Sequence, residues 1–293
     1  MPQPGKYEVE ITSRERVVFP DDGITKGDLA DYCHRLAPAM LPFLAGRPVS
    51  LVRCPQGISG QCFFQKHRTA SFGPHVLSVE IEEKEGDVEP YLRLDSGDGI
   101  LECVQMGAIE FHLWASHATD PEAPDRLVFD LDPAEGLNFI EVTLAASEIR
   151  ARLEQEGLAS FAMLTGGKGV HVVVPLTPGH SWDAHRTFAE NLAKALAGEQ
   201  PDRFTATMSK EKRKGKIFID WLRNTRGSTA IAPYSARARA GAPVATPVSW
   251  EELEVATSAC RFTIGNGEEL LRRAESKVLK GWGEARQRLP PAG

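Results

Sequence analysis

The stretch Leu127-Val128-Phe129-Asp130-Leu131-Asp132-Pro133 is an apolar run that carries two carboxylates and ends at a proline. Side chains of a β-strand alternate with a period of two, so Asp130 and Asp132 would share one face. Two like charges in an apolar strand are unfavourable unless a cation lies between them, and carboxylate oxygens suit Mg²⁺ or Mn²⁺. The alternative is a strand that runs into a polar turn with two solvated aspartates.

A third carboxylate stands in a second apolar run, Ile217-Phe218-Ile219-Asp220-Trp221, which also predicts a strand. Two metal ions held by carboxylates need a third acid, and Asp220 is the candidate.

This second run lies inside a basic segment, residues 207–240. The segment holds nine basic and two acidic residues, a local charge of +7 in a chain whose net charge is −6. A polyanionic partner is the simplest explanation, and a solvated basic face is the alternative. The basic residues are Lys210, Lys212, Arg213, Lys214, Lys216, Arg223, Arg226, Arg237 and Arg239.

A glycine-rich turn, Leu164-Thr165-Gly166-Gly167-Lys168-Gly169-Val170-His171, precedes an apolar strand over 172–176. It is not a Walker A loop, because Ala162 and Gly169 occupy positions that need Gly and Ser or Thr, and no helix follows. Such a turn can still hold phosphates through backbone N–H groups and polar side chains. An ordinary glycine hairpin is the alternative. The polar side chains of the turn are Thr165, Lys168 and His171.

An aromatic pair stands in the stretch Cys62-Phe63-Phe64-Gln65-Lys66-His67. Adjacent side chains of a strand point to opposite sides, so Phe63 and Phe64 cannot easily both be core. An exposed aromatic ring beside basic residues is typical of a base-stacking platform. Packing of both rings in a lobe interface is the alternative.

The remaining pattern predicts the secondary structure around these motifs. Strands are expected over 7–19, 48–53 and 109–114, and an exposed loop or hairpin over 83–98. Thr25 is the predicted N-cap of a helix with one apolar face. Further helices are expected over 137–155, 182–197, 250–255 and 268–279, and a frayed end over 289–293. The residues of the first helix's apolar face are Leu29, Tyr32, Cys33, Leu36 and Met40.

Composition excludes several classes of protein. No run of about 18 apolar residues exists, so no membrane span is expected, and the N-terminus has no signal-peptide core. Five cysteines without CxxC spacing argue against a disulfide framework and a zinc site, and favour reduced thiols in the cytoplasm. They are Cys33, Cys54, Cys62, Cys103 and Cys260.

Three motifs in this order, VFDLDP (128–133), GGKGVH (166–171) and FIDW (218–221), resemble the archaeo-eukaryotic primase–polymerase superfamily. The resemblance is closest to the polymerase domain of bacterial ligase D, the end-joining repair enzyme. It runs from about residue 7 to 280, with further agreement at CFFQKH (62–67) and over 223–250.

The resemblance implies an α+β fold with a mixed or antiparallel sheet core that lines a catalytic cleft, with helices outside. We expect a single primase–polymerase domain over 1–293, with an N-terminal lobe of about 1–120 and a catalytic lobe of about 121–293. The loops over 83–98 and 206–216 are expected to be mobile and to contact DNA or a second copy of the protein.

The resemblance also implies site residues. Asp130, Asp132 and Asp220 would hold two divalent ions, with Mn²⁺ favoured over Mg²⁺. The residues at nucleotide-binding positions are His112, Thr165, Lys168, His171, Arg223, Arg237 and Arg239. Those at DNA-binding positions are Ser13, Arg16, Lys26, Arg53, Phe63, Phe64, Lys66 and Arg213.

Two positions depart from the family pattern. Thr165 stands where the family usually has serine, which keeps the hydroxyl but adds a stiff β-branch. Arg16 and Ser13 replace the usual lysine and asparagine of a pocket for the 5′-phosphate of a gap.

The implied activity is a nucleotidyltransferase that adds NTPs, or less readily dNTPs, to a primer 3′-OH by two-metal catalysis during non-homologous end joining. Implied partners are DNA ends or a gapped duplex with a 5′-phosphate, Ku, a DNA ligase, and a second copy bridging two ends. The expected location is the cytoplasm of a bacterium, at the nucleoid. A primase that starts strands without a primer and a non-catalytic end-binding module are the alternatives.

Overall fold

The computed structural model describes residues 8–83, 86–284 and 286–290. Its strands are β1 (Val17–Phe19), β2 (Ile24–Thr25), β3 (Pro48–Arg53), β4 (Phe63–Gln65), β5 (Leu77–Glu82), β6 (Val88–Arg93), β7 (Ala108–Trp114), β8 (Ser116–His117), β9 (Asp120–Pro124), β10 (Arg126–Pro133), β11 (Phe161–Leu164), β12 (Val170–Pro175), β13 (Phe204–Thr205), β14 (Ile217–Asp220), β15 (Thr229–Ile231) and β16 (Thr246–Val248). Its α-helices are α1 (Lys26–Leu44), α2 (Gly97–Gln105), α3 (Phe139–Gln155), α4 (Trp182–Glu199), α5 (Trp250–Glu254) and α6 (Gly267–Ala274).

The chain forms two compact units. The first comprises Met1–Trp114, Ile231–Ala245 and Phe262–Lys277, and the second comprises Ala115–Ala230, Thr246–Arg261 and Val278–Gly293. Two segments late in the chain therefore belong to the same unit as its N-terminal part.

The first unit is built on the strand order β7-β3-β6-β5, with β4 paired to β3, and all of these pairs are antiparallel. Helix α1 begins with a capping box: Thr25 Oγ1 accepts from the Asp28 amide, and the Asp28 carboxylate accepts from the Thr25 amide. The predicted apolar face of α1 is confirmed, because all five of its residues are buried.

The second unit is built on a six-stranded sheet of order β13-β14-β10-β12-β11-β16. All its pairs are antiparallel except β13–β14, which is parallel. The aspartate strand β10 lies between β12 and β14, so it is buried by neighbours on both edges. Helices α3 and α4 both pack against β10. The predicted α+β class with a mixed, mostly antiparallel sheet is confirmed.

Several local predictions need correction. The strand expected over 7–19 is reduced to Val17–Phe19, whose partner in the described part of the chain, β2, is two residues long. The last predicted helix ends at Ala274. Helix α2 was not foreseen, because its sequence starts with Gly-Asp-Gly after a charged segment. In α3, the apolar residues Ile140 and Leu144 are exposed, whereas Ile149 and Leu153 are buried.

The expectation of five reduced thiols is wrong for one pair, because Cys54 and Cys62 form a disulfide. The antiparallel pairing of β3 with β4 sets Arg53 opposite Phe63, which brings together Cys54, directly after Arg53, and Cys62, directly before Phe63. Cys33, Cys103 and Cys260 are free thiols, as expected.

The loop expected over 83–98 is mainly the β5–β6 hairpin, and its residues 84–85 lie outside the described residues, as do 1–7 and 291–293. Within the described part of the chain, no helix combines the length and apolarity that a membrane crossing requires.

Candidate active site

The aspartate strand places its two carboxylates as the sequence predicts, and its neighbours extend the polar row. Asp130 on β10 is the direct register partner of Asp220 on β14 and of His171 on β12. Residues directly opposite in a sheet share one face, so these three side chains form a transverse row. Asp132 lies on the same face one pleat further along and is exposed.

Two basic residues, His171 and Arg223, contact the acids of this row. His171 Nε2 lies 3.4 Å from Asp130 Oδ1. The Arg223 guanidinium reaches both acids, with Nη2 3.1 Å from Asp130 Oδ2 and Nε 3.2 Å from Asp220 Oδ2. Arg223 comes three residues after Asp220, in the short helical turn Leu222–Asn224 that follows β14. The predicted phosphate-binding arginine thus lies on the carboxylates themselves.

The pKa values of the three acids are shifted in different directions. Burial alone would raise the pKa of Asp130, but the charges and hydrogen bonds of His171 and Arg223 lower it. The pKa of Asp132 is raised by desolvation and by the charge of Asp130. The pKa of Asp220 is also raised, first by burial and then by Asp130, although Arg223 opposes the shift. Arg223 therefore offsets only part of the repulsion among the three carboxylates, because the pKa values of Asp132 and Asp220 stay raised beside it.

The row and the neighbouring Asp132 together have the chemistry that a divalent metal requires. Three carboxylates supply hard oxygen donors, and the acids already attract a cation, the Arg223 guanidinium. In addition, His171 Nδ1 is buried and has no hydrogen-bond partner among the described residues. As placed, no group of three or more acidic, histidine or cysteine side chains in the described ranges converges tightly enough to hold an ion. Metal binding would require Arg223 to leave the carboxylates.

The glycine turn is a hairpin between β11 and β12 that abuts the aspartate strand. A Cβ on Gly169 would lie 2.1 Å from the Leu131 carbonyl oxygen, so only glycine allows the two backbones to approach this closely. The Thr165 hydroxyl donates to the Gly169 carbonyl and accepts from the Gly167 amide, so it closes the turn. Lys168 is exposed at the tip, and in the described parts of the chain it has no hydrogen bond or ion pair.

One residue of this site was missed by the sequence analysis. Asn224 is fully buried, and its side chain accepts from the Val128 amide at 2.7 Å and donates to the Val128 carbonyl at 2.8 Å. It also donates to the Trp221 carbonyl. The amide continues the β10 ladder where β14 turns away, and so ties both aspartate strands together. Nothing in the local pattern distinguishes it from an ordinary turn asparagine.

A second polar cluster lies in the first unit, on β7. His112 Nε2 lies 2.8 Å from Glu110 Oε2, and Arg237 Nε lies 3.1 Å from Glu110 Oε1. The Phe64 ring meets the His112 ring edge-on at 5.8 Å between centroids. The structure thus brings two predicted nucleotide-binding residues, His112 and Arg237, together through Glu110, which we had not predicted. Arg239 is exposed nearby in the chain.

The predicted stacking residues are both exposed, Phe63 by 41% and Phe64 by 54%, so neither is core. Arg53 lies over the Phe63 ring and donates to the Met106 carbonyl and Gln65, so it supports the aromatic pair. Lys66 is paired with Glu83.

The other predicted DNA-binding residues make different contacts. Arg213 stacks on Phe218 in the second unit, 3.6 Å from the ring centroid.

Ser13, Arg16 and Lys26 meet at the start of α1. The Arg16 amide donates to the Ser13 carbonyl, and the Lys26 amide donates to the Arg16 carbonyl. The Lys26 side chain, however, is buried and donates to the Thr12 carbonyl and Gln105. Burial and the adjacent Arg16 charge lower the pKa of Lys26. Of the three, Arg16 presents the exposed charge.

Known proteins resemble this chain over most of its length. Residues 25–278 match the family described as LigD, primase-polymerase domain. The chain is 40% identical over 256 residues to the multifunctional non-homologous end joining protein LigD of Pseudomonas aeruginosa, covering 87% of this chain and 30% of that protein. The protein of the same name from Mycolicibacterium smegmatis is 35% identical over 251 residues, covering 85% of this chain and 33% of that protein. The chain thus spans about a third of the length of these relatives.

The fold agrees with the sequence comparisons. The polymerase domain from Mycobacterium tuberculosis ligase D, solved in complex with DNA, superposes with a TM-score of 0.82 at 31% identity, covering 95% of this chain and 96% of that one. The primase-like fold that we expected is therefore confirmed. Because the family model, the curated relatives and the solved structure all match most of its length, the chain belongs to the LigD primase–polymerase domain family.

Proposed function

We propose that this chain is a metal-dependent nucleotidyltransferase that adds NTPs, or less readily dNTPs, to a primer 3′-OH at DNA ends or gaps during non-homologous end joining. The observation that carries the proposal is the row Asp220–Asp130–His171 beside the glycine turn, in a chain of this family. A nuclease would also use carboxylates, but it would have no need of a lysine turn for a triphosphate.

Asp130, Asp132 and Asp220 would hold two ions, Mn²⁺ or Mg²⁺. When bound, such ions lower the pKa of the attacking hydroxyl and neutralise the polyphosphate. The chain's own residues supply the rest: Asn224 and the β10–β14 pairing fix the acids, and Gly169 brings the turn alongside them. Lys168, exposed at that turn, is available to a phosphate oxygen.

The other predicted site residues have two proposed roles. The incoming nucleotide would be bound by His112, Thr165, His171, Arg223, Arg237 and Arg239. Phe63 and Phe64 would stack on bases, with Arg53, Lys66 and Arg213 near the DNA backbone. Arg16 would receive a 5′-phosphate at the start of α1, where Ser13 and Lys26 shape the turn.

Both relatives reported above are named as multifunctional non-homologous end joining proteins. We therefore propose that this chain works in the cytoplasm at the nucleoid, with Ku and a DNA ligase, and that two copies can bridge two ends.

The test is extension of a gapped duplex with and without a 5′-phosphate, comparing NTPs with dNTPs and Mn²⁺ with Mg²⁺. We expect extension that is fastest with NTPs and Mn²⁺ and is enhanced by the 5′-phosphate. Synthesis on a single strand without any primer would instead identify a primase. Tight binding to ends without extension under any of these conditions would reduce the chain to an end-binding module.

A further inference from the structure

Glu110 is a buried carboxylate to which the proposed function assigns no role. Its side chain is 8% exposed, whereas those of its partners His112 and Arg237 are 16% and 17% exposed. The Glu110 side chain is thus less exposed to solvent than that of either partner. Glu110 and His112 stand two residues apart on β7, so they share one face of the strand.

The two carboxylate oxygens of Glu110 have different partners. Oε2 accepts from His112 Nε2 at 2.8 Å. Oε1 accepts from the Ala238 amide at 2.9 Å and also faces Arg237 Nε at 3.1 Å. One side chain therefore fixes an imidazole on the strand and the backbone of the segment that carries Arg237, and it forms an ion pair with the guanidinium of Arg237.

The ionised form of Glu110 is strongly favoured. Burial alone would raise the pKa of Glu110, but the hydrogen bond from His112 and the charges of Arg237 and His112 lower it to about 2. A buried carboxylate without such partners would be costly, so the three groups depend on one another. Glu110 therefore carries its negative charge at neutral pH, and it keeps the imidazole and the guanidinium in one arrangement.

We propose that Glu110 is a positioning residue that holds the His112 imidazole and the Arg237 guanidinium as a preorganised pair of donors for the nucleotide's polyphosphate. The inference rests on the proposed function, because it takes the ligand of these donors to be a nucleoside triphosphate. Preorganised donors bind an anion more tightly than mobile ones, because the cost of ordering long side chains is met during folding. Removing Glu110 also removes a negative charge, which by itself would favour an anion. The proposal holds that orientation outweighs this effect.

The test compares Glu110→Gln with Glu102→Gln. Glu102 is a matched control: it is a buried acid of the same unit, and its carboxylate accepts only backbone amides, those of His75 and Val76, among its described hydrogen bonds. Two quantities are measured for each variant: binding of ATP by calorimetry, and KM for NTP and kcat in gap extension. For Glu110→Gln we expect ATP binding weakened about tenfold and KM raised similarly, with kcat changed much less, as is typical when an orienting partner is lost.

A merely structural role is tested separately. In a variant that already carries His112→Gln and Arg237→Gln, the further change Glu110→Gln should weaken ATP binding by less than about twofold, because its effect is transmitted through those two side chains. The ring nitrogen signal of His112 in an NMR spectrum should shift in Glu110→Gln and stay in place in Glu102→Gln.

The outcomes separate this inference from the proposed function. Unchanged or tighter ATP binding by Glu110→Gln overturns the positioning role, as does a full effect in the triple variant. If the wild-type protein binds ATP but extends no primer, the proposed function fails while the effect of Glu110 on binding still decides the inference. If the wild-type protein does not bind ATP, both are overturned.

Discussion

Asp130 and Asp220 are direct cross-strand partners on β10 and β14, so two carboxylates that are far apart in the chain lie side by side on one face of the sheet. Like charges directly opposite each other destabilise a sheet. The Arg223 guanidinium contacts both and offsets part of their repulsion. This arrangement makes distinct predictions for the acids and for the arginine.

Asp220→Asn should abolish Mn²⁺ binding and primer extension without weakening the metal-free fold. The pKa of Asp220 is raised in the folded protein, so ionising its carboxyl group is less favourable there than in the unfolded chain, and an amide relieves that cost. Calorimetric Mn²⁺ titration and the unfolding temperature without metal check the two parts. Asp125→Asn, at an equally buried aspartate, is the control and should keep Mn²⁺ binding. Near-normal extension by Asp220→Asn would contradict the metal assignment.

Arg223→Gln should destabilise the metal-free protein by about 1–3 kcal/mol, because it leaves two carboxylates facing each other. The value is below that of a fully buried pair, since the Arg223 side chain is 36% exposed. Mn²⁺ should then raise the unfolding temperature of the variant more than that of the wild type, because the ion replaces the lost charge.

Unfolding temperatures with and without MnCl₂ decide this prediction for Arg223. Arg226→Gln, which breaks an ion pair with Glu122 in the same unit, should show the wild-type response to Mn²⁺. Equal responses of wild type and Arg223→Gln would show that the guanidinium does not stand in for a metal.

Gly169→Ala should separate the glycine turn from the aspartate strand. The new methyl group would lie 2.1 Å from the Leu131 carbonyl oxygen, so the backbone must move. We expect a loss of at least about 3 kcal/mol in the free energy of unfolding, measured with denaturant, and loss of extension. Gly198→Ala in helix α4 has open space around its added methyl group and should be neutral or stabilising. A Gly169→Ala protein of normal stability would show that the turn can shift freely.

His185 should make the fold sensitive to acid. Burial lowers its pKa to about 4, although its hydrogen bond to the Ser181 carbonyl opposes the shift. Between pH 6.5 and about 4 the unfolded chain binds a proton at His185, whereas the folded protein leaves this side chain neutral. The contribution of the neutral His185 to stability is therefore full above this window and falls as the pH drops through it. The loss is at most on the order of 3 kcal/mol.

The check is the free energy of unfolding at several pH values from 7 to 4 for wild type and His185→Leu. The variant should lose less stability across the window, whereas His75→Gln, at a partly exposed histidine of the other unit, should follow the wild type. Parallel curves for wild type and His185→Leu would contradict the prediction.

Sequence patterns predicted the elements whose cause is local. A strand imposes the alternation around Asp130, and a helix imposes the spacing of the apolar face of α1. The glycines before His171 are a local signal of a turn. These elements appear where they were expected, and they place the proposed acids and the lysine turn.

Other features depend on partners that are distant in the chain. The disulfide needs the β3–β4 pairing, the exposure of Ile140 depends on what packs against α3, and Asn224 looks like any turn asparagine until Val128 is placed beside it. None of these has a local signature.

The sequence by itself determined the aspartate strand, its two carboxylates on one face and the family to which they belong, because strand alternation and motif order are properties of the chain alone. Only the tertiary structure decided that Asp220 and His171 flank Asp130, that Arg223 lies on the acids, and that Glu110 joins His112 to Arg237. The physical reason is that strand register and the closing of loops bring these charges together, and Coulomb interactions act through space, whatever the separation along the chain.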